Sequence, residues 1–303
     1  MTPATAIASA TGRRSAAARA ANALASRSSV YAVAAIACAL VYVPVVIGLM
    51  KDWAHNPNYS HGFVIPFAVA FVVWEQRHRL RALPARPAHW GLALVLVAQA
   101  EYLIGYLGAE FFLQRTSLLL LLAGGVVYLY GWQHLRLQLF SLLLLFLAIP
   151  LPAIIFNAIA FPLQLLASAW AAALLVGCSI PVFRQGNILV LPQRSLDVAE
   201  ACSGIRSLFS LLALALMVAY FVPASFWKRA GLALSAVPIA LAANAVRIAA
   251  SGLLGRWFGP EASEGFYHLF TGWVLFVVAF AVLLLEASLL LRRHSAPRRA
   301  AIG

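Results

Sequence analysis

"EACSGIRSLFSLLALALMVAYF", residues 200–221, opens on a glutamate, a cysteine and an arginine and then runs on as almost unbroken apolar sequence. A helix needs about 20 apolar residues to cross the hydrocarbon core of a bilayer. A thiol and an arginine one turn apart at the mouth of such a run place reactive chemistry where a membrane-grade helix begins.

The same apolar pattern extends in both directions. Runs fall near 30–50, 61–76, 90–107, 113–131, 137–150, 153–177, 202–222, 230–254 and 266–291. Of the 303 residues, 63% are hydrophobic and 10% charged, against about 45–50% and about 25% in soluble domains. The composition predicts an all-α polytopic protein embedded in the lipid bilayer. A net charge of +13 would suggest nucleic acid in a soluble chain. Here the arginines sit mainly in tails and short loops, where they set membrane orientation. With no basic face carrying aromatic platforms, no nucleic-acid partner is expected.

Residues 1–29, rich in Arg, Ala and Ser, read as a disordered cytoplasmic tail rather than a cleaved signal peptide. The transmembrane domain is expected over 30–293, followed by a basic cytoplasmic tail over 294–303. Positive flanks at Arg13, Arg14, Arg19 and Arg27, at Arg77, Arg79, Arg81 and Arg86, at Lys228 and Arg229, and at Arg292, Arg293, Arg298 and Arg299 mark the cytoplasmic side. Between Arg136 and Cys202 the chain then crosses an odd number of times, yet two apolar runs lie there, separated by "IPLP" (149–152). One of them must be interfacial or re-entrant. Asn157, Pro162, Gln164 and Trp170 suit residues 153–177 to a tilted or interfacial helix, while 137–150 is short for a span. The expectation is about eight crossings with both termini cytoplasmic. In "VFRQGNILVLPQRSLDVA" (182–199), Val, Ile and Leu alternate around a Pro-Gln-Arg-Ser turn, which predicts a small extracytoplasmic β-hairpin before the helix of Cys202.

Three polar positions stand out on that outer side. Cys202 opens a helix, where free N–H groups and the dipole favour a thiolate. Ser203 and Gly204 crowd beside it, and Arg206 at i+4 adds positive charge. A buried free cysteine is otherwise an ordinary core residue, which is the reading for Cys38. Arg247, in "PIALAANAVRIAASGLLG" (238–255), lies about seven residues inside its run, roughly 10 Å deep. An arginine at depth costs on the order of 2.5–3.5 kcal/mol and usually faces a protein interior, the plainer alternative being snorkelling to the headgroups. Asn244, at i−3, shares its face. His268, in "GFYHLFTGW" (265–273), begins the last run, with Gly272 one turn below leaving room. Among Phe266, Tyr267, Phe270 and Trp273 it would also suit an aromatic belt.

Together these residues make an acyl-transfer set. Cys202 would attack a carbonyl, His268 would move protons, and Arg247 or Arg206 would stabilise the oxyanion. Glu200 or Asp197 would orient an imidazole. His61, in "YSHGF" (59–63), is the rival to His268, its plainer reading being a structural interfacial residue. Three scattered cysteines make neither a disulfide framework nor a zinc site, and no H-E-x-x-H pair occurs. No metal and no cofactor are expected.

Several stretches resemble, in order, the motifs of the exosortases, membrane transpeptidases of Gram-negative bacteria. They are "NYSHGFVIPFAVAFVVWEQR" (58–77), "IPLPAIIFNAIAFPLQLLAS" (149–168), "GNILVLP" (186–192), "AEACSGIRSL" (199–208), "NAVRI" (244–248) and "HLFTGW" (268–273). The resemblance implies Cys202 as nucleophile with Arg247 and His268 as partners, in the inner membrane with the active site facing the periplasm. It implies substrates that are exported proteins of the PEP-CTERM type, with a C-terminal Pro-Glu-Pro signal, a transmembrane helix and a basic tail. Such an enzyme cleaves near the signal and passes the product to an acceptor. Some relatives carry a soluble domain after the last span; here a separate partner would supply it, or none is needed. Two other functions fit parts of the sequence. A transporter would use Arg247 as an intramembrane binding residue. A quinone-linked thiol oxidase would need Cys178 as resolving cysteine.

Overall fold

The computed structural model describes residues 33 and 36–295 except 193, 198–203 and 260–264, with side chains left undescribed also at 194, 197, 204, 265–269 and 293–295. The expected tails over 1–29 and 294–303 therefore fall almost wholly outside the described residues, as do Cys202, Glu200 and Ser203. The chain divides into two compact units, Met1–Gly48 and Leu49–Gly303. The described residues of the first belong to helix α1 (Ile36–His55). The second unit carries the end of that helix and every later element.

A 3-10 turn over Pro57–Phe63 leads into α2 (Ile65–Glu75) and α3 (Arg77–Ala82). Then come α4 (Trp90–Leu107), α5 (Phe111–Tyr130), α6 (Trp132–Leu147) and α7 (Ala153–Gly177). Strands β1 (Phe183–Gln185), β2 (Ile188–Leu191) and β3 (Arg194–Asp197) form one antiparallel sheet in that order. Three more helices complete the unit: α8 (Gly204–Phe221), α9 (Phe226–Phe258) and α10 (Gly265–Ser295).

Among the described residues, six helices are long and apolar enough to cross a membrane: α1, α4, α5, α7, α9 and the Phe270–Arg292 part of α10. The apolar helices α6 and α8 are shorter. This is the all-α polytopic membrane fold expected from composition, with six helices of spanning length and two shorter apolar ones among the described residues. The pair on either side of "IPLP" sorts by length. With 25 residues α7 can span, whereas α6 has 16, about 24 Å against a core of about 30 Å. The 61–76 run also breaks up, into the 3-10 turn and an eleven-residue α2 with a proline in its first turn.

The expected hairpin carries a third strand. Gly186, at φ +65°, takes the tight β1–β2 turn with Asn187, a conformation glycine adopts without steric cost. Pro192 follows β2 and leads into β3, whose Ser195 pairs with Val190.

Helix α9 is the hub of the bundle, packing on α7, α8 and α10. Its Ala233, Ala236 and Ala240 are buried with Ala215 and Ala219 of α8 and Ala279 of α10. Small side chains let membrane helices approach closely where apolar burial gives no advantage over lipid. Higher up, the sheet takes α8's place. Leu189, Leu191 and Leu196 pack on Ala167, Ala171 and Leu175 of α7 and on Ile248 and Ala249 of α9. The first residues of α8 meet α7 and α9 only below that level, beside Leu163 and Asn244. The helix of the opening motif therefore begins in a recess under the sheet.

Candidate active site

Two clefts meet at this recess. One, of about 330 Å³, lies between α7, α8 and α9 and is lined by Leu163, Gln164, Ile205, Leu208, Leu241 and Asn244, among others. The second, of about 300 Å³, lies between α8, α9 and α10, where Ser207, Asn244, Arg247, Gly272 and Phe276 are among its lining residues. Asn244 borders both.

Arg247 is placed by α9 and accommodated by α10. A Cβ on Gly272 would stand 3.0 Å from both Cζ and Nη2 of Arg247. With glycine there the guanidinium packs against the α10 backbone; a larger residue would press it aside. The room expected above Gly272 is thus occupied by the arginine. Arg247 sits eleven residues before the end of α9 at Phe258, about 16 Å along a 33-residue helix that is itself longer than the bilayer core is thick. Arg206, exposed in the first turns of α8, lies close enough to Arg247 for the two cations to repel each other. His268 lies on α10 one turn before Gly272, although its side chain is outside the described residues.

The structure thus brings Arg247, Asn244 and the start of α8 together, with Gly272 linking them to the His268 turn of α10. Cys202, Glu200 and Ser203, as members of the proposed set, lie outside the described residues, and so does the contact between Cys202 and any imidazole. The other cysteines are free thiols, Cys178 exposed and Cys38 half-buried. Among the described residues no group of His, Cys, Asp or Glu could hold a metal ion.

His61 has a different setting. It is buried, and its Nε2 is 3.1 Å from the carbonyl of Leu147. A carbonyl only accepts, so Nε2 carries the proton. The ring stacks on Phe209 of α8 at 6.0 Å and 7°. Burial pushes its pKa below the usual histidine range, the Leu147 hydrogen bond opposing that shift. Two neighbours do the same job. Trp53 Nε1 donates to Ala148 O at 2.8 Å, and Leu151 N donates to Tyr59 Oη at 3.2 Å. The segment 53–61 therefore grips the α6–α7 elbow at three backbone atoms and backs α8. Gly62 is obligatory in this grip, since any Cβ would enter the Trp53 indole. The histidine motif was legible as a motif; that it works through Trp53 and Tyr59 on the elbow was not, because no local spacing connects residues nearly a hundred apart. Gln164 was visible only as a polar residue in α7 and proves to line the first cleft.

A helical bundle spanning a membrane, with an arginine and two amides gathered at an interior recess, defines a polytopic membrane protein with a buried polar site. A family model described as transmembrane exosortase matches residues 53–285, and the chain belongs to that family. The matched span begins at Trp53, the first anchor of the elbow, and includes both clefts. Exosortases act as membrane transpeptidases or proteases on exported proteins, and that general activity is the protein's. No curated protein and no solved structure matches the chain.

Proposed function

We propose that the protein is a cysteine transpeptidase of the inner membrane that cleaves the C-terminal Pro-Glu-Pro segment of PEP-CTERM-type exported proteins on the periplasmic side, both its termini being cytoplasmic. The Cys202 thiolate attacks the scissile carbonyl; as the C–N bond breaks, the amine leaves with a proton from His268 and a thioester remains. An acceptor amine, or water, then attacks the thioester, giving its proton to His268 and expelling the Cys202 thiolate. Arg247, with Arg206 beside it, stabilises the oxyanion or holds the substrate glutamate.

The observation that carries this reading is the seating of the Arg247 guanidinium on Gly272. It puts a cation in the cleft lined by Ser207 of α8, one turn along α10 from His268. Family membership weighs against the transporter, and retained processing after Cys178→Ser would eliminate the thiol oxidase.

The test is processing of a Pro-Glu-Pro-tagged membrane reporter by wild type, Cys202→Ser and Cys202→Ala at matched expression. Both variants should lose cleavage, and wild type should yield a hydroxylamine-sensitive thioester. Undiminished processing in the variants would overturn the mechanism.

A further inference from the structure

Among the described residues, the lining of the cleft between α7, α8 and α9 is apolar except for two side-chain amides, Gln164 from α7 and Asn244 from α9. Asn244 is 8% exposed. Neither amide has a side-chain hydrogen bond to another described residue. Gln164 is half-buried, and neither amide is among the side chains whose polar atoms are sealed off without a partner, so both present open donors and acceptors to the cleft. The two stand at one level. Gln164 is thirteen residues before the end of α7 and Asn244 fourteen before the end of α9, about 20 Å down each helix. Facing them are Ile205 and Leu208, in the first turns of α8.

The chemistry of the cleft selects its occupant. An amide is neutral and offers both a donor and an acceptor. Its complement in an apolar setting is another neutral group with one of each, which is what a peptide unit presents. Pro162 and Pro238, which border the cleft residues Leu163 and Val237, each remove a ladder hydrogen bond from their helix, loosening the two walls where the chain would lie.

We infer that this cleft is a backbone-binding subsite, in which Gln164 and Asn244 hydrogen-bond a peptide group freed when the substrate's membrane helix unwinds beside the scissile bond. The inference rests on the function proposed above. Unwinding is the difficulty any protease meets with a membrane helix, because peptide groups released in hydrocarbon have no water to pair with. Two amides lining the cleft lower that cost. The subsite adjoins the chemistry on both sides. Asn244 also borders the Arg247 cleft, and three residues of chain, about 10 Å at most, separate Cys202 from Ile205.

The test uses the full-length protein in membranes and a reporter carrying the Pro-Glu-Pro motif before a transmembrane helix. Gln164→Leu and Asn244→Leu should each slow processing about tenfold, the value of one hydrogen bond of this kind. A second reporter, with Gly-Pro placed to break its helix beside the motif, should recover most of that rate; a merely structural role for the amides would leave it unchanged. Independently, benzoylphenylalanine replacing Leu163 should crosslink to the reporter in a Cys202→Ala background. Normal processing by both leucine variants, or crosslinking to lipid alone, would overturn the subsite. An adduct at position 163 without cleavage by wild type would support the subsite while overturning the proposed chemistry.

Discussion

Helices α4 and α5 and helices α7 to α10 solve the same problem in opposite ways. Both regions carry polar residues inside membrane-length helices. In the α4–α5 hairpin those groups are spent on one another: Thr116 Oγ1 donates to Glu101 Oε1 at 2.6 Å and Gln114 Nε2 to Gly105 O at 3.0 Å, with Gln99 Nε2 left over. The two helices touch through glycine. A Cβ on Gly91 would stand 2.5 Å from Tyr128 Cα, and one on Gly124 2.9 Å from Val95 N. Around α9 the amides of Gln164 and Asn244 face clefts, and glycine at 272 makes room for a guanidinium instead of a backbone. Polar groups satisfied internally make a scaffold; polar groups held facing a cleft make a site.

The two regions differ most sharply at their glycines. Gly272→Leu should push the Arg247 guanidinium off α10 and reduce reporter processing at least a hundredfold, the scale of removing an oxyanion donor. The same variant should change thermal unfolding in detergent only slightly, since the guanidinium ends a flexible side chain and can move aside. Gly91→Ala should do the reverse. Overpacking costs about 1–3 kcal/mol, and the upper end applies where backbone meets backbone, outweighing the about 1 kcal/mol an alanine gains inside a helix. The unfolding temperature should fall by several degrees while activity per folded molecule holds. If Gly91→Ala abolished activity without loss of stability, the division into scaffold and site would be wrong.

Much of this architecture was legible in the sequence for a physical reason. Apolar length is the membrane's main demand on sequence, so 90–107 and 153–177 matched helices end to end. The arginine in "NAVRI" announced itself by its cost in that setting. The hidden features depend on three-dimensional depth. Nothing local says that α8 begins beneath a sheet, because that arises from Leu189 and Leu196 packing on Ala171 and Ile248, residues from distant parts of the chain. Gln164 looked like the mark of a tilted helix for the same reason. A polar residue in an apolar run reports that something lies opposite it, without saying what.

Smaller effects sharpen the scaffold side. Arg115 of α5, buried, pairs with Asp52 at 2.5 Å, the carboxylate being 43% exposed. Asp52→Asn should cost about 1–3 kcal/mol of stability, below the about 3–5 kcal/mol of a fully buried pair because water reaches the carboxylate. Chemical unfolding at two salt concentrations would check this. A difference that vanished at high salt would make the pair a surface bridge and Arg115 no part of the core.

The least effect, and the most diagnostic, belongs to His61. Its folded-state pKa lies below the usual 6.5, so between that value and 6.5 the unfolded chain binds more protons than the folded one. Stability therefore rises with pH through this window: it is intact above about 6.5 and lost as pH falls toward the folded pKa. His61→Gln keeps a donor for the Leu147 carbonyl but cannot titrate. Between pH 8 and pH 5.5 its unfolding temperature should drop less than that of wild type, with reporter processing at neutral pH retained. A histidine that moved protons in the reaction would behave otherwise, its glutamine variant losing processing at every pH while titrating no differently in stability. Finding that pattern would transfer the proton-transfer role proposed for His268 to His61 and carry the active site across α8 to the elbow.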